Sequence, residues 1–131
     1  MNTLLLIGSL LGFISVVMGA SGDHLFLLTE DKTETFATAV RYNMLYAAII
    51  TFLGVIRSLD TAEHIQKKVA RSGLLFSLGT IAFVFSLYLN LLTGIPWLVY
   101  VTPFGGITLM ISWLSLVALA FPQRKIKAQN T

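Results

Sequence analysis

Four long apolar runs, at residues 2–20, 37–56, 74–92 and 104–121, take up most of this 131-residue chain. At about 1.5 Å of rise per residue, each is long enough to cross a hydrocarbon layer about 30 Å thick as an α-helix. With 56% hydrophobic residues and a mean hydropathy of +0.81, the chain reads as an all-α membrane protein. One domain, 1–131, is expected, with transmembrane helices at about 2–20, 37–57, 72–93 and 103–121. Nearly all the mass lies in these helices, so no soluble catalytic domain fits, and function falls to the bundle or to short loops. The chain has no cysteine, which removes disulfides, thiolate chemistry and iron–sulfur ligation.

Lys and Arg accumulate in cytoplasmic loops, so their positions orient the bundle. Arg57, Lys67, Lys68 and Arg71 fall between the second and third runs, and Arg124, Lys125 and Lys127 follow the fourth. Only Lys32 and Arg41 belong to the other side. Both termini are therefore expected in the cytoplasm. The net charge of +3 is what such a basic rim requires and calls for no nucleic acid; the same residues attract anionic headgroups at about 1 kcal/mol each. The first run has no basic residue before it and exceeds the roughly 7 to 15 residues of a signal core, so it is expected to be a retained helix.

Small residues recur along each run: Gly8, Gly12, Ser15 and Gly19; Asn43, Ala47, Thr51 and Gly54; Gly73, Ser77 and Thr80; Gly105, Thr108, Ser112 and Ser115. Such stripes let membrane helices approach closely. With short loops between them, an antiparallel up-down bundle is expected, and a large side chain at Gly12 should force its helices apart. Asp31 with Glu34, and Asp60 with Glu63, fit capping boxes, the second starting a helix near Thr61. Thr102-Pro103 fits an N-cap followed by proline in the first helical position. Trp97 and Tyr100 fit an interfacial aromatic belt, and residues 25–32 a segment lying in the outer interface.

No carboxylate lies inside a run, and the deepest charge, Arg41, sits only about 7 Å into its helix, where its stem can snorkel to the surface. Proton-coupled transport is correspondingly disfavoured. His24 and His64 are expected on opposite sides of the bilayer, which excludes a shared metal or a two-histidine haem. The candidate site is an outer-face polar cluster of Asp23, His24, Arg41, Tyr42 and Asn43, facing a helix start at Thr102, Gly105 and Gly106 whose open amides attract an anion. Two occupants of that start stay open: Asp23 as an internal latch, or a lipid phosphate or small carboxylate. Asp23 beside His24 also allows an acid–base pair, against a purely structural pairing of Asp23 with Arg41. Asn43, Ser77, Ser86, Asn90, Ser112, Ser115, Tyr46 and Tyr88 are expected to make hydrogen bonds between helices, and Trp113 to pack against small neighbours.

Gly19-Ala20-Ser21-Gly22-Asp23-His24, Arg41 through Tyr46, Leu78-Gly79-Thr80 through Tyr88, and Thr102-Pro103-Phe104-Gly105-Gly106 together resemble the YgdD-like family of small membrane proteins. That family is a domain of unknown function (DUF423) related to the eukaryotic transmembrane protein 256 group. The resemblance covers nearly the whole chain. Three departures stand out: Tyr46 where the family pattern has histidine, Val84-Phe85 in place of serine and glycine, and Ser112 in place of the glycine before Trp113. The resemblance implies fold and location, and no reaction. The function expected is that of a non-enzymatic accessory protein of the bacterial inner (plasma) membrane, without cofactor, binding anionic lipid or a membrane-protein partner. A small transporter or channel formed by a homo-oligomer is the alternative, and a membrane enzyme using Asp23 and His24 a third class.

Overall fold

The computed structural model describes residues 1–25 and 30–121, and the side chains of all of these except 23–25. Helices α1 (Thr3–Leu25), α2 (Glu30–Ser58), α3 (Glu63–Thr80), α4 (Ser86–Thr93) and α5 (Val101–Ala120) follow in chain order. A π-helical turn, Ile81–Phe85, joins α3 to α4, and a 3-10 turn, Pro96–Tyr100, leads into α5. The segments Thr3–Gly22, Glu30–Ser58, Glu63–Thr93 and Pro96–Ala120 are each long and apolar enough to cross a membrane.

Helix ends differ from the expected caps for local reasons. Asn2 caps α1, its Oδ1 accepting the Leu5 amide at 3.2 Å, while its Nδ2 donates to the Gly54 carbonyl of α2 at 2.7 Å. The polar stretch before residue 37 is helical: α2 starts at Glu30, placing Glu30 and Asp31 in a first turn that favours negative charge. The Asp31–Glu34 box is therefore not a helix start. Thr35 and Thr38 instead return their hydroxyls to the carbonyls of Asp31 and Glu34. At α3 the N-cap is Ala62, without a side-chain bond, so the Asp60–Glu63 box does not form either. Gln66 organises that loop: its Nε2 donates to the carbonyls of Ile56 and Leu59, and its Oε1 accepts from Arg57. The α4 end is closed by Gly94, whose φ of 71° suits glycine.

Helices α1 and α2 meet along the small stripes, and contact partners fall along one helix as they rise along the other. Thr51 faces Gly8, Ala47 faces Gly12, Val40 faces Gly19 and Phe36 faces Gly22. The close point is Gly8, where an added Cβ would lie 2.6 Å from the Thr51 amide nitrogen, and Gly54 matches it against the Leu5 amide at 2.5 Å. At Gly12 the nearest atom is the Ala47 methyl, 3.8 Å away. The helix crossing therefore lies nearer residue 8 than residue 12.

Helix α5 packs on α3 and the π turn. Gly79 receives Leu109, and Gly105 lies against the Ala82–Phe83 backbone. Two hydroxyl pairs flank this contact, Ser72 with Ser115 at 2.7 Å and Ser86 with Thr102 at 2.6 Å. Between α5 and α1 or α2, no Cα pair of the described residues comes within 8 Å. The core cluster runs through α1, α2 and α3 with Leu11, Tyr46, Ile50, Leu53, Val69 and Phe76, and takes in Leu109 of α5, with Leu116 and Leu119 packed against it.

Candidate functional site

The cluster expected at the face opposite Met1 is only partly assembled. The side chains of Asp23 and His24 lie outside the described residues; their backbone belongs to the last turn of α1. Arg41 is exposed. Tyr42, at the helix surface, stacks on Tyr46 with ring centroids 6.1 Å apart and meets Phe83 edge-on at 5.5 Å. Asn43 turns inward, fully buried, and its Nδ2 donates to the Tyr88 hydroxyl at 3.0 Å.

Thr102, Gly105 and Gly106 do not form an open helix start. The 3-10 turn Pro96–Tyr100 runs directly into α5 at Val101, so Thr102 is already helical and Pro103 sits inside the first turn. Thr102 uses its hydroxyl on Ser86. Gly105 is covered by Phe83, and a Cβ added at Gly106 would stand 3.7 Å from the Phe83 ring. Gly105 makes room for a helix contact, and the open helix start expected at Thr102 is replaced by a chain already turning through Pro96–Tyr100.

The structure instead gathers polar groups along the seam where α2 faces α3, the π turn and α4. Besides the Asn43–Tyr88 bond, the Tyr46 hydroxyl accepts the Trp113 indole N–H at 3.1 Å, and Phe76 meets the same indole edge-on at 5.6 Å. Trp113 is thus anchored by a tyrosine and a phenylalanine, where small neighbours were expected, and it supplies the link from α5 to α2. Tyr46, at the position where the resembled pattern has histidine, acts here as a hydrogen-bond acceptor. Among the described residues, the buried polar atoms Asn43 Oδ1 and Thr80 Oγ1 have no hydrogen-bond partner. Thr80 immediately precedes the π turn, where a widened helical turn interrupts the regular i to i−4 ladder.

Hydropathy gave no signal for the π turn or for the unpaired Thr80. The role of Gln66 could have been sought in its place one turn into an amphipathic helix beside a basic loop. Among the described residues no group of three or more His, Asp or Glu could hold a metal.

The fold defines a multi-pass, all-helical membrane protein whose polar interior is neutral among the described residues. Residues 18–106 match the model of DUF423, described as a protein of unknown function, and the chain belongs to that family. It is 31% identical to the UPF0382 membrane protein SH2409 of Staphylococcus haemolyticus, over 92% of this chain and 97% of that protein. YwdK of Bacillus subtilis is 29% identical over 92% and 97% respectively, and the inner membrane protein YgdD of Escherichia coli K12 is 29% identical over 93% and 92%. No solved structure matches. Four apolar helices and these relatives make the chain a multi-pass protein of the bacterial inner membrane.

Proposed function

We propose that this is a non-enzymatic accessory protein that binds lipid or another membrane protein, in an up-down bundle with both termini cytoplasmic. The orientation draws on Arg57, Lys67, Lys68, Arg71, Arg124, Lys125 and Lys127 at one end of the spans. The binding role draws on the incomplete contact between α5 and α2. A groove of about 380 Å³ separates them, lined by Leu45, Ala48, Ile49, Phe52, Leu116 and Leu119, and Trp113–Tyr46 is its bridge. An apolar groove between helices at membrane depth takes an acyl chain or a partner helix by van der Waals packing.

Native mass spectrometry of the protein released from mild detergent tests this, with retained lipid or a second membrane subunit expected. A homo-oligomer without retained lipid or other subunit that conducts a solute into proteoliposomes would overturn it. That outcome would favour a transporter reading, for which the buried Asn43 Oδ1 and Thr80 Oγ1, without a partner among the described residues, are the supporting observation.

A further inference from the structure

At the basic end of the spans, residues of α1, α2 and α3 line a cavity of about 470 Å³. Its polar lining is Asn2, Thr3, Arg57 and Ser58, with Ser77, whose hydroxyl donates to the Gly73 carbonyl, and its apolar lining includes Leu4, Ile7 and Leu74. Arg57 is the charged side chain at this lip, which Met1 also lines. One guanidinium nitrogen, Nη1, is held by the Gln66 carbonyl and Oε1, each at 3.1 Å. That bond fixes the guanidinium while its remaining N–H groups have no partner among the described residues. The loop and first turns around it carry Arg57, Lys67, Lys68 and Arg71 against Asp60 and Glu63. Glu63 is engaged by Lys67 at 3.5 Å.

We propose that this cavity seats the headgroup of an anionic phospholipid, with its phosphate on Arg57 and its first methylenes along Leu4, Ile7 and Leu74. The inference rests on the lipid-binding reading above and gives it a place and a charge. A guanidinium presents paired donors to phosphate oxygens, and a polar lip over an apolar wall matches an amphiphile entering from the membrane surface. At about 30 Å³ per water-sized group the cavity holds on the order of fifteen such groups. That accommodates a phosphate, a glycerol unit and the start of a chain, while the tails remain in the bilayer. A free phosphate would leave the apolar wall unfilled.

The test titrates the delipidated full-length protein with phosphatidylglycerol, with phosphatidylcholine and with glycerol phosphate, reading bound mass by native mass spectrometry. Wild type is expected to retain phosphatidylglycerol over phosphatidylcholine and to bind glycerol phosphate negligibly. Arg57→Gln, which keeps a donor for Gln66, should lower phosphatidylglycerol retention about five- to tenfold, from the loss of one basic residue at the surface, and Arg57→Lys should recover most of it. Ala70→Phe, which fills the cavity without changing charge, should lower retention equally at an unchanged melting temperature. Should both Arg57→Gln and Ala70→Phe retain lipid like wild type, the seat is elsewhere and this inference fails while lipid binding stands. If wild type retains no phospholipid, lipid binding and this seat fail together. Glycerol phosphate binding as well as the intact lipid would overturn the lipid assignment in favour of a soluble phosphate.

Discussion

Adjacent glycines at 105 and 106 should respond in opposite ways to the same added methyl group. At Gly105 a Cβ would lie 2.7 Å from Phe83 Cα and 2.9 Å from the Ala82 carbonyl carbon, and nearer still to the Phe83 amide nitrogen. All three are backbone atoms of the π turn, so no rotamer change can relieve them. Carbon atoms rest at about 3.5–4.0 Å, so α5 must retreat by roughly 1 Å, and a gap of that size forfeits a quarter to a half of each facing dispersion contact. Over a helix interface this amounts to about 1–3 kcal/mol, the usual range for overpacking. It is partly offset by the gain of up to about 1 kcal/mol that alanine makes over glycine in a helix. At Gly106 the added Cβ would stand 3.7 Å from two ring carbons of Phe83, an ordinary contact, so only the gain remains. Gly105→Ala should therefore be less stable than Gly106→Ala by about 2 kcal/mol. Equilibrium unfolding in mixed detergent micelles, followed by helical circular dichroism, measures the difference. A Gly105→Ala protein as stable as Gly106→Ala would refute the docking of α5 on the π turn.

Three further outcomes follow from the same geometry. Gly8→Ala should destabilise more than Gly12→Ala, since the Thr51 backbone blocks the first and only the Ala47 methyl meets the second; equal thermal stabilities would place the crossing elsewhere. Thr80→Val removes a buried hydroxyl that has no partner while keeping the side-chain shape, so stability should hold or rise by up to about 1 kcal/mol, and a clear loss in the same unfolding assay would reveal a partner for Oγ1. Tyr46→Phe takes the acceptor from the Trp113 indole at a cost of about 0.6–1.7 kcal/mol; in a Trp97→Phe background the emission of Trp113 should shift to shorter wavelength, and an unmoved spectrum would argue against the bond.

Length and hydropathy made the four spans legible, because about 20 apolar residues have few other fates in a chain this size. The small stripes were equally legible as helix contacts: Gly8, Gly54, Gly73 and Gly105 all stand where a Cβ would strike a neighbouring helix. Which stripe position is closest was not, since Gly8 and Gly12 look alike in sequence and only the crossing point separates them. Polar ends misled for a physical reason. Residues 30–36 lack the apolar signature of a span, yet a helix can continue past the hydrocarbon, where water and i−4 hydroxyl bonds satisfy it, whereas the helix expected from near Thr61 does begin at Glu63. The N-cap expected at Thr102 is absent because Thr102-Pro103 has the sequence of a helix start while the chain arrives there already turning. Of the outer cluster, Asn43 was correctly expected to bond between helices, but its partner, Tyr88, is 45 residues away, a pairing that no local pattern encodes.

Four crossings that return the chain to its starting side are the premise of every contact and surface assigned above, and paired reporters test it directly. Alkaline phosphatase and a fluorescent protein, each fused in turn after residue 131 and within the turn at Gly94–Ile95, report the two sides of the membrane. The account predicts fluorescence without phosphatase activity at the C-terminus and phosphatase activity without fluorescence at Gly94. Phosphatase activity at the C-terminus, or the same reporter active at both positions, would contradict it.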